Sequence, residues 1–200
     1  MEETVTRQRL EKDERIKQIL STAREVFLEK GYSNTTMTDI IKVSGMSRGG
    51  VYHYYQNTSD MLFDLMLEGN ALRMEIISSQ IAEVASTQSH EAMVLQTAEL
   101  VVDKILSDNE YTPLYLMFLQ EKKHDKKLQA LYEEIMVQTI AHLRETFGER
   151  LFIPEGGTDR FEFLSEFINA MALSRNILQA EAIFLRERAL LVKMIELILK

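Results

Sequence analysis

The chain has 200 residues, of which 31 are acidic and 23 basic, with no cysteine and a formal net charge of −8. This length allows one large or two small domains, and the lack of cysteine excludes disulfides and thiolate metal ligands. The polar N-terminus lacks a secretory signal, and no apolar run approaches the roughly 20 residues of a membrane span. We therefore expect a soluble, cytoplasmic protein that does not enter a membrane.

The acidic excess lies entirely after residue 60. Residues 1–60 hold nine Lys and Arg against nine Asp and Glu, whereas the remaining residues hold 14 against 22. Phosphate binding needs a local supply of cations, and an acidic body is repelled by a polyanion. The charge distribution therefore permits nucleic-acid binding by the N-terminal segment, with modest affinity and steep salt sensitivity.

Apolar residues recur at helical spacing along the chain and strand signals are almost absent, so the predicted fold class is all-α. The periodicity predicts about nine helices, at residues 11–30, 37–44, 48–55, 59–84, 90–107, 113–122, 125–147, 158–180 and 184–199. Thr112-Pro113 is typical of a helix start, and Pro154 to Gly157 is typical of a loop. We expect a three-helix domain at 1–60 and a larger helical bundle at 61–200.

Residues 35–57 carry the most informative pattern, which predicts two short helices joined by a tight turn. Thr36 can cap the first helix, and Ile40 and Val43 are expected on its inner face. Gly45 stands where the chain must leave the helix with a positive φ angle.

Ser47 can cap the second helix of this pair. Val51 and either Tyr54 or Tyr55 are expected to pack inward, which leaves Arg48, Gly50, Tyr52 and His53 on the outside. In a helix-turn-helix protein, that outer face enters the major groove of DNA.

More of the N-terminal segment follows one family's pattern than a bare helix-turn-helix would require. The matching residues are Phe27, Gly31-Tyr32, Thr35-Thr36, Asp39-Ile40, Gly45, Ser47, Gly49, Val51 to Tyr55, and Asp60 to Leu62. Residues 16–62 as a unit resemble the DNA-binding domain of the TetR family of bacterial transcriptional regulators. This resemblance covers about a quarter of the chain, and the rest carries no recognisable signature.

The resemblance implies contacts with double-stranded DNA. Phosphate or sugar contacts are implied for Thr36, Thr38 and Tyr54, and readout of base edges for Arg48, Gly50 and Tyr52. The full set of expected DNA-contact residues is Thr36, Thr38, Ser47, Arg48, Gly49, Gly50, Tyr52, His53 and Tyr54. Thr58 stands where the family usually has a phosphate-binding Lys, so one electrostatic contact is expected to be missing. Arg7, Arg9 and Lys12 are either a flexible arm that reaches the DNA or ordinary solvated cations.

The last predicted helix is apolar almost all the way round and must be covered on two sides. Its apolar residues are Phe184, Leu185, Leu190, Leu191, Val192, Met194, Ile195, Leu197, Ile198 and Leu199. The preceding helix offers a matching stripe: Phe161, Leu164, Phe167, Ile168, Met171 and Leu178. We expect these two helices to form a four-helix interface in a homodimer, as the resemblance also implies. The alternative is that they form a core within one chain.

Flexible and aromatic residues of the middle helices predict a pocket for a small-molecule effector, although each alone is compatible with ordinary core packing. They are Phe63, Met66, Met93, Tyr111, Tyr115, Phe118, Tyr132, Met136, Phe167 and Met171. An apolar or amphipathic ligand suits these side chains, and Glu99, Asp103, Glu110 and Glu121 are candidates to accept a cationic one. We expect a repressor that binds a palindromic operator and is released by its ligand, although activators occur in this family.

An enzymatic alternative fails on the histidines. A di-iron bundle needs two Glu-x-x-His motifs, and Glu121 to His124 supplies one, whereas the residues three places before the other histidines are Gly50, Thr87 and Thr139. We find no other metal-ligand cluster, phosphate loop or nucleophile motif, so we expect no metal, no cofactor and no enzymatic activity. A helical adaptor that binds only protein is a second alternative, which binding to any duplex DNA would contradict.

Overall fold

The computed structural model describes residues 2–84, 89–107, 111–147 and 158–200. In these ranges the chain forms ten α-helices and a 3-10 turn at Tyr32–Asn34, without a β-strand. The helices are α1 (Glu2–Lys30), α2 (Met37–Ser44), α3 (Arg48–Tyr52), α4 (Thr58–Val84), α5 (His90–Leu106), α6 (Tyr111–Glu121), α7 (Lys126–Phe147), α8 (Thr158–Ile177), α9 (Glu181–Arg186) and α10 (Arg188–Leu199). The predicted all-α class is confirmed.

Three helix boundaries differ from the predicted ones for identifiable reasons. α1 is helical from Glu2, so the backbone of the expected arm is not flexible, and the side chains of Arg7 and Arg9 lie outside the described ones. α6 begins at Tyr111, so Thr112 is not its cap, and Pro113 lies in the first turn, where no backbone N–H is needed. The last predicted helix is interrupted at Glu187 and forms α9 and α10. The expected loop at 154–157 lies outside the described residues.

The chain forms two compact units. The first unit contains residues 1–69 and 113–131, and the second contains residues 70–112 and 132–200. The division is therefore not a single cut near residue 60, because residues 113–131 group with the N-terminal helices. The assignment of DNA binding to 1–60, and of ligand binding and dimerisation to 61–200, stays a prediction.

The first unit has a core built on α1. Ile19, Ala23 and Phe27 are fully buried on one face of α1, which packs against α2. α2 contributes Ile40 and α3 contributes Val51, while α4 and α6 add further buried side chains: Met61, Leu62, Leu65, Leu114 and Phe118. Each fully buried aliphatic side chain stabilises the fold by about 1.5–3 kcal/mol relative to exposure. This packing sets the positions of α2 and α3.

The second unit has its core between α5 and α10, with α8 beside them. Its buried residues are Met93, Val94, Ala98 and Val102 of α5, Leu164 of α8, and Leu191, Val192, Ile195 and Leu199 of α10. Most of the stripe predicted on α8 packs here: Phe161 is buried, and Phe167, Ile168 and Met171 pack against this core. Those residues therefore do not form the outward face that the dimer prediction assigned to them.

A second apolar face of α8, α9 and α10 is exposed. It consists of Phe163, Ile177, Leu178, Ile183, Leu185, Leu190, Met194 and Leu197. α10 is thus apolar on two sides, as predicted, but only one side is covered by its own chain. Among the described helices, none is both long enough and apolar enough to cross a lipid bilayer.

The turn after α8 contains the only described non-glycine residue with a positive φ angle, Gln179 at 56°. Side chains disfavour this left-handed conformation, whereas glycine adopts it freely. Because Gln179 is exposed, its side chain contributes little packing in return. We expect Gln179→Gly to raise the free energy of unfolding by about 0.5–1 kcal/mol. The measurement is urea denaturation followed by circular dichroism, and Gln179→Ala is the control that should give no gain.

Candidate nucleic-acid interface

The start of α2 is fixed by reciprocal hydrogen bonds between Thr36 and Asp39. The backbone N–H of Asp39 donates to Thr36 Oγ1 (3.2 Å), and the backbone N–H of Thr36 donates to Asp39 Oδ2 (2.9 Å). These bonds satisfy two of the N–H groups that a helix N-terminus leaves unpaired. Lys30 Nζ donates to Asp39 Oδ1 (2.5 Å), and this bond is the main reason that the pKa of Asp39 lies well below its usual value. The prediction that Thr36 caps α2 is confirmed.

The turn between α2 and α3 has the predicted geometry. Gly45 ends α2 in the left-handed conformation, with φ 66° and ψ 6°. Ser47 then caps α3, because its Oγ accepts a hydrogen bond from the backbone N–H of Gly50 (3.1 Å). Both helices are therefore bounded by residues whose conformation suits a tight turn.

The inner faces of α2 and α3 differ in part from the prediction. Val51 and Tyr55 are buried as expected, but Val43 is 56% exposed, so its assignment to the inner face is wrong. Residues spaced three and four apart share a helix face, and the side of α2 that packs runs from Met37 through Ile40 to Ser44. Val43 lies off that side.

Tyr55 links the end of the α3 segment to α4. Its hydroxyl donates a hydrogen bond to Asp64 Oδ2 (2.8 Å), and burial, followed by this bond, raises its pKa. α3 itself ends at Tyr52, three residues before the predicted end, because the backbone forms turns at His53 and Tyr54. The side-chain amide of Gln56 donates to the carbonyl of Tyr52 (2.6 Å) at this end.

Every residue of the expected DNA-contact set is at least partly accessible. Thr36, Thr38, Ser47, Arg48, Gly49 and His53 are exposed, and Gly50, Tyr52 and Tyr54 are half-buried. The Arg48 guanidinium lies 5.4 Å from the centre of the Tyr52 ring, which brings the two expected base-reading side chains together. The His53 and Tyr54 rings meet edge to face at 4.9 Å. Contact of these residues with DNA stays a prediction.

Thr58, at the start of α4, has a role that the sequence did not reveal. Its hydroxyl and that of Ser59 form hydrogen bonds with the Tyr32 hydroxyl, whose pKa is nevertheless raised, mainly by burial. Replacing Thr58 by the Lys usual at this position in the family would therefore remove an internal hydrogen bond as well as add a cation.

The turn between α6 and α7 is tied to the N-terminal helices within the first unit. Three side-chain hydrogen bonds make this connection: Ser33 Oγ to Glu121 Oε1 (2.6 Å), Ser59 Oγ to Asp125 Oδ2 (2.5 Å) and Lys127 Nζ to Asp60 Oδ1 (2.6 Å). The bond from Ser59 is the main cause of the lowered pKa of Asp125. The position of α4 is therefore fixed from two directions.

The residues expected to line a ligand pocket are divided between the two units. In the first unit, Met66 and Phe118 are buried, while Phe63 and Tyr115 are half-buried. In the second unit, Met93 is buried in the core, and Tyr111, Tyr132, Met136, Phe167 and Met171 are half-buried. The Tyr132 hydroxyl donates to Glu166 (2.6 Å) and accepts from Asn169 (3.2 Å). A pocket that all ten residues share stays a prediction.

The acidic residues considered for a cationic ligand do not form one site. Glu99 and Asp103 are exposed, and Asp103 binds Arg188 (2.7 Å). Glu121 accepts the bond from Ser33 in the first unit, and Glu110 lies outside the described residues. In the described part of the chain, no three His, Asp or Glu side chains are grouped as metal ligands would be.

Two capped helices around a left-handed glycine, with an accessible outer face on the second, define a helix-turn-helix protein. Residues 19–65 match the model of a family described as "Bacterial regulatory proteins, tetR family". An "Uncharacterized HTH-type transcriptional regulator YfiR" of Bacillus subtilis is 50% identical over 50 residues, which are 25% of this chain. The match spans only 24% of that relative's length.

Similarity of fold extends much further along the chain. The fatty acid degradation regulator FadR of Bacillus halodurans is 17% identical and matches with a TM-score of 0.70 over 91% of this chain and 94% of its own. The transcriptional regulator FadR of Bacillus subtilis, solved in complex with stearoyl-CoA, is 17% identical with a TM-score of 0.66 over 89% and 96%. At this identity the likeness concerns the fold. Together with the helix-turn-helix match, it shows that the chain belongs to the TetR family.

Two glycines of the helix-turn-helix should respond in opposite directions to alanine. Neither Gly45 nor Gly49 has an atom within 4 Å of an added Cβ, so only backbone conformation distinguishes them. We expect Gly45→Ala to lower the free energy of unfolding by about 1 kcal/mol, because φ is positive there. Gly49→Ala should raise it by about 0.5–1 kcal/mol, because Gly49 is helical.

Chemical denaturation of both variants measures this difference. Gly45→Asn serves as the control and should cost less than Gly45→Ala, because asparagine tolerates the left-handed conformation. Equal losses at both glycines would contradict the assigned backbone geometry.

Proposed function

We propose that the chain is a sequence-specific DNA-binding transcriptional regulator, which binds a palindromic operator as a homodimer and is released by a small-molecule ligand. The observation that carries this proposal is the outer face of α3, where Arg48 and Tyr52 are accessible and in contact. An arginine donates two hydrogen bonds to a guanine edge, and an aromatic ring can contact a thymine methyl group. We expect such a protein to act in the cytoplasm, where bacterial DNA is found.

The exposed apolar face of α8, α9 and α10 supports a homodimer. Soluble monomers rarely expose a continuous apolar surface of this kind, and a two-fold pair would cover it with a second copy. Two-fold symmetry would also present two copies of α3 to the two halves of a palindromic site. The alternative, in which these helices serve only as a core within one chain, accounts for the buried side of α10 and not for the exposed one.

Regulation by ligand requires only that the ligand bind the DNA-free form more tightly. A coupling free energy of about 1–3 kcal/mol would lower the affinity for DNA by roughly 5- to 150-fold. The FadR protein with stearoyl-CoA shows that a relative of this fold accepts a small molecule. We propose repression relieved by ligand as the default response. Since its relatives are described as transcriptional regulators, we also propose that the chain has no enzymatic activity.

DNA readout should separate residues that specify a sequence from residues that position the protein. We expect Arg48→Ala to weaken binding by about 1–3 kcal/mol and to relax the base preference at one position of each half-site. Thr38→Ala should weaken binding to all duplexes alike, because a phosphate contact carries no sequence information. The preferred site is first selected from random duplexes, and affinities are then measured at fixed salt.

Tyr52→Phe is the matched control for the ring contact, since it keeps the ring beside Arg48 and should leave the preference unchanged. A chain that selects no palindrome, or an Arg48→Ala variant with unchanged preference, would refute this assignment of the recognition face. Failure to bind any duplex would instead favour the protein-binding adaptor.

The dimer can be tested on side chains that only a partner would cover. Leu190 and Leu197 of α10 are 54% and 75% exposed, whereas Ile195 is fully buried in its own chain and would report on folding instead. We expect Leu190→Glu combined with Leu197→Glu to give a folded monomer in sedimentation velocity, because two buried carboxylates would oppose association. Val137→Glu, at an apolar position of α7 that is 67% exposed, should remain a dimer. A double variant that sediments as the parent does would place the interface elsewhere.

A further inference from the structure

Thr97 of α5 carries a buried hydroxyl without a hydrogen-bond partner among the described residues. The buried threonines of α1 and α7 differ in this respect: Thr22 donates to the carbonyl of Gln18 (3.0 Å), and Thr139 donates to that of Ile135 (2.7 Å). Each uses the backbone acceptor four residues earlier, which a helical threonine normally has within reach. An unpaired buried hydroxyl destabilises a protein, so the exception at Thr97 calls for a partner.

The helix face that carries Thr97 also carries Lys104. Met93, Thr97, Leu100 and Lys104 follow one another at spacings of four, three and four residues, which places them on one side of α5. Met93 is buried and Leu100 is half-buried, so this side has apolar surface along its length. A hydroxyl lies in its middle and an ammonium group at its end.

Lys104 combines an accessible side chain with strong desolvation. It is exposed by its solvent-accessible surface, yet burial is the main cause that lowers its pKa to about 7, and the positive charge of Arg73 adds to this effect. These observations are compatible if Lys104 lines a recess, where protein atoms surround the ammonium group and a small molecule can still reach it. An anion in that recess would restore the charged form.

Arg73 of α4 supplies a second cation at this place. Its Nη2 atom donates hydrogen bonds to Asn70 Oδ1 (2.8 Å) and to Thr139 Oγ1 (2.7 Å), which fix the guanidinium between α4 and α7 in the second unit. Lys104 is close enough to be affected by this charge. Two fixed cations at close range repel each other, and a shared anion would turn this repulsion into attraction.

The other charges of the second unit follow the same pattern. Its described charged residue with full burial is Arg175, which donates to the carbonyl of Ser107 (2.9 Å) and to Glu181 (3.0 Å). Glu181 and Asp103, by contrast, are 51% and 60% exposed. In the described part of this unit, the cations are thus inside and the carboxylates outside, although the chain as a whole is acidic.

We infer that the second unit binds an organic anion with an apolar body. Its negatively charged group is held by Lys104 and Arg73, the Thr97 hydroxyl donates to a polar atom next to that group, and the apolar body lies along Met93 and Leu100. Carboxylates and phosphates share the chemistry required. That this anion is the effector rests on the proposed function, whereas its binding does not.

The test compares four probes that share an n-octyl chain: octanoate, octyl phosphate, octanol and octyltrimethylammonium. Binding to the full chain is measured by calorimetry at constant salt and without DNA. We expect at least one of the two anions to bind about tenfold or more tightly than octanol, and the cation to bind no better than octanol. The better anion distinguishes a carboxylate from a phosphate headgroup. Anions that bind no more tightly than octanol would overturn the inference.

Three variants assign the binding to these residues. Lys104→Met should remove most of the preference for the anion and leave octanol binding unchanged, while Lys104→Arg should retain the preference. Lys123→Met, at an exposed lysine of the first unit, is the matched control and should behave as the parent. A Lys104→Met variant with the full anion preference would refute the site.

Thr97→Val provides a test that does not depend on the charge. Because it removes an unpaired hydroxyl at nearly constant shape, it should raise the melting temperature of the free protein while weakening anion binding. A purely structural threonine would show the opposite change in melting temperature. Operator release by the anion is then measured separately. Anion binding without release would contradict the regulatory part of the proposed function, and the site itself would stand.

Discussion

The five-residue helix α3 has no stability of its own, and the candidate DNA interface depends on what holds it in place. A helix of this length makes too few internal hydrogen bonds to offset the conformational entropy of its residues, and two of its five residues are glycine. Its position is fixed by the Ser47 cap, by the burial of Val51 and Tyr55, and by the bond from Tyr55 to Asp64. The outer face is therefore ordered because the inner face is packed, so the residues that orient Arg48 are not those that would touch DNA.

The sequence predicted those local features that have a single physical solution. A threonine followed three residues later by a carboxylate, a glycine at a forced positive φ and a serine before a short helix each act within a few residues, and the structure confirms all three. Predictions that depend on tertiary packing fared less well. Val43 has the right hydrophobicity and an acceptable spacing, but α2 is rotated so that Ser44 faces inward in its place. The break at Glu187 also has no signal such as glycine or proline.

The candidate anion site was invisible in the sequence for a related reason. A lysine on a helix is solvated in most proteins, and a threonine normally bonds to its own helix, so neither residue type marks a site. What distinguishes Lys104 and Thr97 is their surroundings: Arg73 comes from another helix, and the hydroxyl lacks the usual partner. The overall charge was misleading as well, because it is set by exposed carboxylates and says little about the interior. A site of this kind can be recognised only after burial and charge have been assigned atom by atom.

The first compact unit joins residues 1–69 to residues 113–131, and this has a consequence for how the protein is made. The later segment contributes Leu114, Phe118, Leu128 and Leu131, all essentially inaccessible to solvent, and half of each hydrogen bond that ties it to Ser33, Ser59 and Asp60. While the ribosome is still translating the residues between these segments, the N-terminal helices lack these partners. The helix-turn-helix thus completes its packing only after residue 131 has emerged, so a stalled or truncated chain that ends earlier leaves apolar surface exposed to chaperones and proteases.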